Sequence, residues 1–281
     1  MRTTTGDSDL KKLFIYNRSV PTAALYADIE RIERPWIDGL LRQVEATTPP
    51  IASRAEWVER LDEMLAEEAA GSESTRFLAE DATREQFRSF VREFGLDGLT
   101  EAQNFFPAVM RVPIKSQMAL MRVLIDEFGC GNLQQSHSHL YGKLLAELDL
   151  PGAVEDLVDT TSDETFQMLN AFYWLASRAP TVEYFLGALA YLEASIPSAF
   201  SCLAQACSRL GLENGAYYTE HLHIDAFHMK ELQTAIREFE VVNGLDPTKV
   251  LIGAKLLSTL IAGAVDAAVA RARRQVDVAV G

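Results

Sequence analysis

Residues 118–148 read MALMRVLIDEFGCGNLQQSHSHLYGKLLAEL, and this stretch decides the fold. Apolar residues recur every three or four positions on both sides of a glycine-flanked corner, Gly129-Cys130-Gly131-Asn132. This pattern is typical of two amphipathic helices joined by a tight turn, and Asn132 can cap the second helix. Glu127 ends the first helix, and His137 lies near the start of the second. The sequence therefore predicts a helical hairpin with a carboxylate and an imidazole beside its turn.

The same helical periodicity continues through most of the chain, and almost no segment shows the alternation of a strand. Further helices are predicted at residues 22–46 (with a break or kink at Pro35), 54–70, 83–94, 115–128, 133–148, 164–177, 181–210 (bent near Pro197), 215–242 and 248–275. We predict an all-α fold and a single domain over residues 1–281. Residues 1–80 are expected to form accessory helices and residues 81–281 the core.

Composition narrows the class of protein. The chain is 48% hydrophobic, and its 40 acidic against 26 basic residues give a net charge of −14, which disfavours nucleic acid and anionic membrane surfaces as partners. The three cysteines form no CxxC pair, and no leader segment is recognisable, so we expect a cytoplasmic protein. The apolar segment 250–270 is interrupted by Lys255 and Asp266, and it is expected to be a buried core helix.

The five histidines all lie between positions 137 and 228, and three of them fall in one short segment, His221-Leu-His223-Ile-Asp225-Ala-Phe-His228. On a helix, His221, Asp225 and His228 point within about 60° of one another, whereas His223 points away. Such a stripe is either a solvated helix face or a set of ligands, because burying it requires a counter-charge. Imidazole and carboxylate together suit iron, manganese or zinc.

Other acidic residues favour the metal-binding interpretation. Glu193 lies in an otherwise apolar helix with no basic residue nearby in the sequence. Glu127 ends its helix, where the helix dipole disfavours an acid, and Glu101 opens the segment 101–107. Glu220 and His223 form a Glu-x-x-His pair typical of ferritin-like bundles, but no second pair exists, so that alternative is disfavoured.

Taken together, these residues resemble a known family. Asp126-Glu127-Phe-Gly-Cys-Gly-Asn132 followed by His137-Ser-His-Leu-Tyr141 resembles the DExGxG…HxxLF signature of the haem-oxygenase-like di-iron oxidases and oxygenases. The later helices resemble that family's remaining motifs, and the order is most similar to the central domain of its N-nitrosating members. The resemblance covers roughly residues 80–240. The residues in the places of metal ligands are Glu101, Glu127, His137, Glu193, His221, Asp225 and His228.

The resemblance implies a seven-helix haem-oxygenase-like bundle with additional N-terminal helices, two iron ions bound by those seven residues, and O2 as co-substrate. It implies no haem, because the first histidine of the chain is His137. Glu127 resembles the extra carboxylate of the N-oxygenating branch, and Gln134 replaces a glutamate of the alkene-forming branch. The expected reaction is N-oxygenation of a small amine or amino acid in specialised metabolism, with an external electron donor.

Several alternatives remain open at this point. The same centre could perform oxidative C–C cleavage, desaturation or decarboxylation of an amino or fatty acid. The fold could also serve a non-catalytic binding protein, and manganese could replace iron. A thiaminase-like hydrolase would need a nucleophilic cysteine, for which Cys130 is a poor candidate. The helical composition is compatible with a homodimer. The small residues Gly187, Ala188 and Ala190 are expected to serve close helix packing, the alternative being space for substrate or O2.

Overall fold

The computed structural model describes residues 1–280, including their side chains except those of residues 225–226 and 275–280. This part of the chain contains fourteen α-helices and no β-strand, as the all-α prediction expects. The helices are α1 Asp9–Asn17, α2 Ala23–Thr47, α3 Arg54–Glu68, α4 Glu73–Glu80, α5 Arg84–Glu93, α6 Gly95–Thr100, α7 Phe106–Val109, α8 Ile114–Glu127, α9 His137–Glu147, α10 Val154–Leu157, α11 Asp163–Ser177, α12 Glu183–Arg209, α13 Ala216–Asn243 and α14 Pro247–Val280. Short 3-10 turns occupy Glu101–Phe105, Gly129–Gly131 and Leu133–Gln135.

Two N-terminal helices, α1 and α4, lie where the sequence periodicity predicts none. Both are short and begin at a serine whose hydroxyl accepts a backbone N–H of the first turn, Ser8 in α1 and Ser72 in α4. Packing stabilises them, because Phe14 and Leu78 are fully buried. Helices this short are stabilised mainly by tertiary contacts, so periodicity detects them poorly.

A break or kink is predicted at Pro35, and the break is wrong, because α2 continues through this residue. Pro35 lies on the exposed side of the helix, where water can hydrate the carbonyl that loses its N–H partner. On the other side, Glu33 is buried and accepts hydrogen bonds from the Arg178 guanidinium of α11. The predicted helix 133–148 is also shorter than expected: Asn132 caps a 3-10 turn, and α9 begins at His137.

The centre of the bundle is α12, which packs against both α13 and α14. α12 and α14 cross closely, since a Cβ atom on Gly187 would lie 1.8 Å from the Val250 carbonyl oxygen. Likewise, a Cβ atom on Gly253 would lie 1.9 Å from the Tyr184 carbonyl oxygen. The expected packing role of Gly187 is thus confirmed.

Helices α12 and α14 also meet the length and hydropathy that a membrane span requires. Within the bundle, roughly half of the most apolar window of each is buried. The N-terminal helices share their apolar contacts with the rest of the chain, since Phe14, Trp57 and Leu78 belong to the same hydrophobic cluster as Leu189 and Leu256. Residues 1–80 therefore pack mainly against α11, α12 and α14.

The close crossing of α12 and α14 gives a test of the fold. We expect Gly253→Ala to lower the free energy of unfolding by about 1–3 kcal/mol, because the added methyl group forces two backbones apart. Gly263→Ala is the matched control on the same helix: no atom lies within 4 Å of its added Cβ. Alanine has the higher helix propensity, so this control should gain about 0.5–1 kcal/mol. Urea unfolding followed by circular dichroism measures both, and equal stabilities would refute the crossing.

Candidate metal centre

The turn after α8 brings the first two candidate ligands together. Gly129 has a φ of +60°, and a Cβ atom there would lie 2.6 Å from both the carbonyl carbon of Gln135 and the backbone nitrogen of Ser136. Only glycine therefore permits this tight reversal between α8 and α9. As a result, His137 Nδ1 lies 2.8 Å from Glu127 Oε2, with both side chains buried.

Helix α13 presents His221 and His228 to the same interior region, and both are buried. His221 Nδ1 lies 2.6 Å from the Tyr217 carbonyl oxygen, one turn earlier. Because a carbonyl can only accept, Nδ1 carries the proton and Nε2 keeps its lone pair for a ligand. The His221 ring centroid is 4.1 Å from that of His137. Burial, with a contribution from His137, lowers the pKa of His221 to about 4, which keeps its imidazole neutral.

Glu193 comes from the middle of α12 and is 2% exposed. Its Oε2 lies 2.9 Å from His228 Nδ1, and Glu127 Oε1 lies 3.8 Å from the same nitrogen. Burial raises the pKa of Glu193, with a further contribution from the charge of Glu127, although His228 opposes this shift. Burial also acts to raise the pKa of Glu127, but the close approach of His137 and the other nearby imidazoles lower it overall.

Five of the seven predicted residues thus meet in two groups that share one carboxylate. Glu127, His137 and His221 form one group, and Glu127, Glu193 and His228 form the other, with the ligand atoms of each within 4.8 Å of one another. Every member is buried, and no Lys or Arg among the described residues pairs with either glutamate. Carboxylates buried in this way need cations, and their combination with imidazoles fits divalent iron.

The remaining two predicted ligands, Glu101 and Asp225, are not among the two groups. Glu101 is half-buried at the start of the 3-10 turn after α6, where it lines a pocket of about 20 Å³ together with Glu127, His137 and Tyr217. Such a volume has room for about one water molecule. The side chain of Asp225 lies outside the described residues, so its predicted role as a ligand stays a prediction.

Residues that the sequence does not place at the site also lie close to it. Asp126 Oδ2 is 3.7 Å from His228 Nε2, so the acidic pair Asp126-Glu127 approaches His228 with both members. Phe200 and Tyr217 pack edge-on against His221, with ring centroids at 5.0 and 4.7 Å. Only Asp126 had a signal in the sequence, since it forms part of the quoted motif.

The other polar candidates point elsewhere. His139 Nε2 lies 2.9 Å from Gln134 Oε1, and Glu220 and His223 are exposed on α13. The ferritin-like pair is therefore a surface feature. Cys130 is exposed, and its hydrogen bond to Asp126 raises the pKa of the thiol, which makes it a poor nucleophile.

A second, largely apolar cavity of about 100 Å³ lies against the same side of the cluster as Glu101. Gly98, Glu101 and Tyr217 line both this cavity and the small pocket next to Glu127 and His137. Its other walls come mainly from α5, α11 and α12 and include Phe90, Phe172 and Phe200. The cavity thus shares a wall with the cluster.

Solved structures with the same fold support the helical architecture. A domain of unknown function with a haem-oxygenase-like fold from Shewanella denitrificans OS217 superposes with a TM-score of 0.60 at 13% identity, covering 81% of this chain and 94% of that one. A CADD-like protein of unknown function from Nostoc punctiforme PCC 73102 also gives 0.60, at 16% identity, covering 78% of this chain and 99% of that one. The predicted haem-oxygenase-like fold is confirmed.

Among characterised proteins, the chain is similar to a nitrosourea synthase from Streptomyces achromogenes subsp. streptozoticus. The two are 25% identical over 185 residues, which cover 59% of this chain but only 38% of that protein. The model of a family described as iron-containing redox enzymes matches residues 88–260, which include all seven predicted ligands. On this match, and with two buried groups of imidazole and carboxylate ligands, the chain belongs to the family of iron-containing redox enzymes.

Proposed function

We propose that this protein is a non-haem di-iron oxygenase that inserts an oxygen atom from O2 at the nitrogen of an amine or amino acid. The observation that carries the proposal is the position of Glu127, which belongs to both buried ligand groups. A carboxylate has two oxygen atoms and can contact two neighbouring cations, which is how paired metal sites are commonly built. A single-iron site would leave one of the two groups without a cation.

The ligand set fits two ferrous ions by charge as well as by donor type. Glu127, His137 and His221 would hold one ion, and Glu127, Glu193 and His228 the other, with Glu101 and Asp225 completing the four carboxylates. Four negative charges balance two Fe(II) ions, and neutral imidazoles complete the coordination without further charge. When bound, the two ions supply the binding and reduction of O2.

The chain's own residues determine what surrounds this chemistry. The hydrogen bond from His221 Nδ1 to the Tyr217 carbonyl fixes the tautomer and the orientation of the imidazole. Phe200 and Tyr217 pack against His221 and hold its ring in place on that side. Burial raises the pKa of Glu193. A bound cation would favour the ionised carboxylate and so oppose this shift.

Nitrogen is the favoured site of oxygenation for two reasons. The similar nitrosourea synthase is named for a product that contains an N–N bond, and Gln134 stands where the alkene-forming branch carries a glutamate. The balanced reaction is R–NH2 + O2 + 2 e− + 2 H+ → R–NHOH + H2O. One N–O bond forms and the O–O bond breaks, the second oxygen leaves as water, and an external two-electron donor supplies the electrons.

Iron stoichiometry tests the two ligand groups. After anaerobic loading with Fe(II), we expect about two irons per chain, and His228→Ala should lower this to about one, because it removes the imidazole beside Glu193. His223→Ala is the matched control on the same helix, with an exposed imidazole, and should keep both irons. Iron is counted by a chelator assay after gel filtration. An unchanged count in His228→Ala would contradict the assignment of this group.

Product analysis tests the reaction. The iron-loaded protein, supplied with a chemical reductant, 18O2 and a panel of primary amines and amino acids, should yield a hydroxylamine that carries one labelled oxygen atom. His228→Ala should lose at least 99% of this product, since removing a metal ligand removes the O2-reducing centre, whereas His223→Ala should retain it. Mass spectrometry measures the label. If CO2 or products with a shortened carbon chain form in place of hydroxylamines, the reaction is oxidative C–C cleavage and not N-oxygenation.

A further inference from the structure

Asp97 is the unexplained polar group of the apolar cavity beside the cluster. It lies on α6, one turn before Glu101, and its carboxylate lines the cavity with Phe90, Phe94 and Met168. The residue is half-buried as a whole, yet its Oδ1 atom is enclosed and has no hydrogen-bond partner among the described residues. A buried carboxylate oxygen without a partner is costly, and a bound ligand can provide that partner.

The charges around the cavity determine which kind of ligand fits. Asp97 and Glu101 line it, and its described lining residues include no Lys, Arg or His. Burial raises the pKa of Asp97 to about 7, and no nearby cation offsets this shift. A carboxylate-bearing substrate, such as a fatty acid, would therefore meet Asp97 without a counter-charge from any described lining residue of this cavity. A cation would instead pair with Asp97 and favour its ionised form.

Two hydroxyl groups that line the cavity already donate hydrogen bonds to backbone carbonyls. The Tyr141 hydroxyl donates to the Val91 carbonyl oxygen at 2.8 Å, and the Ser195 hydroxyl donates to the Leu192 carbonyl oxygen at 3.0 Å. Neither proton is then available to a carboxylate ligand. The remaining lining is dominated by aromatic and aliphatic side chains, which accept an alkyl chain without a polar cost.

We propose that this cavity binds the alkyl chain of a small primary amine, with Asp97 as the residue that pairs with its ammonium group. This inference rests on the proposed function. It narrows the substrate class to alkylammonium ions that place no carboxylate group of their own in the cavity. Asp97 lies one helical turn before Glu101, which lines both this cavity and the small pocket next to Glu127 and His137. An apolar cavity of about 150 Å³ holds a benzene molecule, so about 100 Å³ suits a chain of four or five carbons.

Calorimetric titration tests this proposal with three probes of similar size: n-pentylamine, n-pentanol and pentanoate. The full chain is loaded with Fe(II) under nitrogen, so that no turnover occurs. n-Pentylamine should bind about ten- to hundred-fold more tightly than n-pentanol, the ratio expected of a charge-assisted hydrogen bond. Pentanoate should bind most weakly. Asp97→Asn should remove the preference for the amine, while leaving pentanol binding within about two-fold.

Two further variants separate the effect of the Asp97 charge from the effect of the cavity volume. Asp62→Asn is the matched control, since Asp62 lines a different cavity, which reaches Glu193 from the side of α3, and its loss should leave all three affinities unchanged. Ala199→Phe fills the proposed cavity, so it should weaken pentylamine and pentanol alike. This variant also tests the location if Asp97→Asn does not fold.

The outcomes distinguish this proposal from the proposed function. Titration of the metal-free chain repeats the comparison without iron, so Asp97-dependent amine binding there would support the cavity assignment even if the iron count or the product analysis failed. Equal or tighter binding of pentanoate would overturn the proposal. So would pentylamine binding that is absent, or that is unaffected by Asp97→Asn or by Ala199→Phe.

Discussion

Two glutamates, Glu127 and Glu193, are buried in a mainly apolar bundle and pair with imidazoles alone among the described residues. Carboxylates in such surroundings are stable only beside groups that carry or bind positive charge, and here no described Lys or Arg approaches them. The three imidazoles around them stabilise the carboxylates in part, and bound cations would supply the remaining positive charge. Four elements must meet within a few ångströms: the end of α8, the start of α9, the middle of α12 and one face of α13.

Much of this arrangement could be predicted from residue types and their spacing. The stripe of His221 and His228 depends only on helical periodicity, and the isolated acid Glu193 is unusual in any apolar helix. Their convergence could not be computed from periodicity, because it depends on how α12 and α13 cross. The resemblance of the motif order to that of a known family predicted that these residues meet. The pairing of His228 with Glu193 at 2.9 Å agrees with it.

The features that the sequence did not predict are those that depend on distant neighbours. In the sequence, Asp97 is not distinguished from any other acidic residue. Only the tertiary structure shows that Phe90, Phe172 and Phe200 enclose the space beside it. Similarly, α1 is too short for a periodic signal, and the burial of Phe14 stabilises it. The continuity of α2 through Pro35 depends on which side of the helix faces water. In each case tertiary packing decides the outcome.

The glycine corner at Gly129 has a consequence for how the chain reaches its native state. Glu127 and His137 are only ten positions apart, so closing the loop between them costs little chain entropy. Glu193 and His228 are 35 positions apart and come from separate long helices, so they meet only after these helices have docked. The corner allows Glu127 and His137 to meet locally, within the α8–α9 hairpin, before His221 joins them from α13. We therefore expect the nascent hairpin to bring this pair of ligands together while the remainder of the chain is still being synthesised.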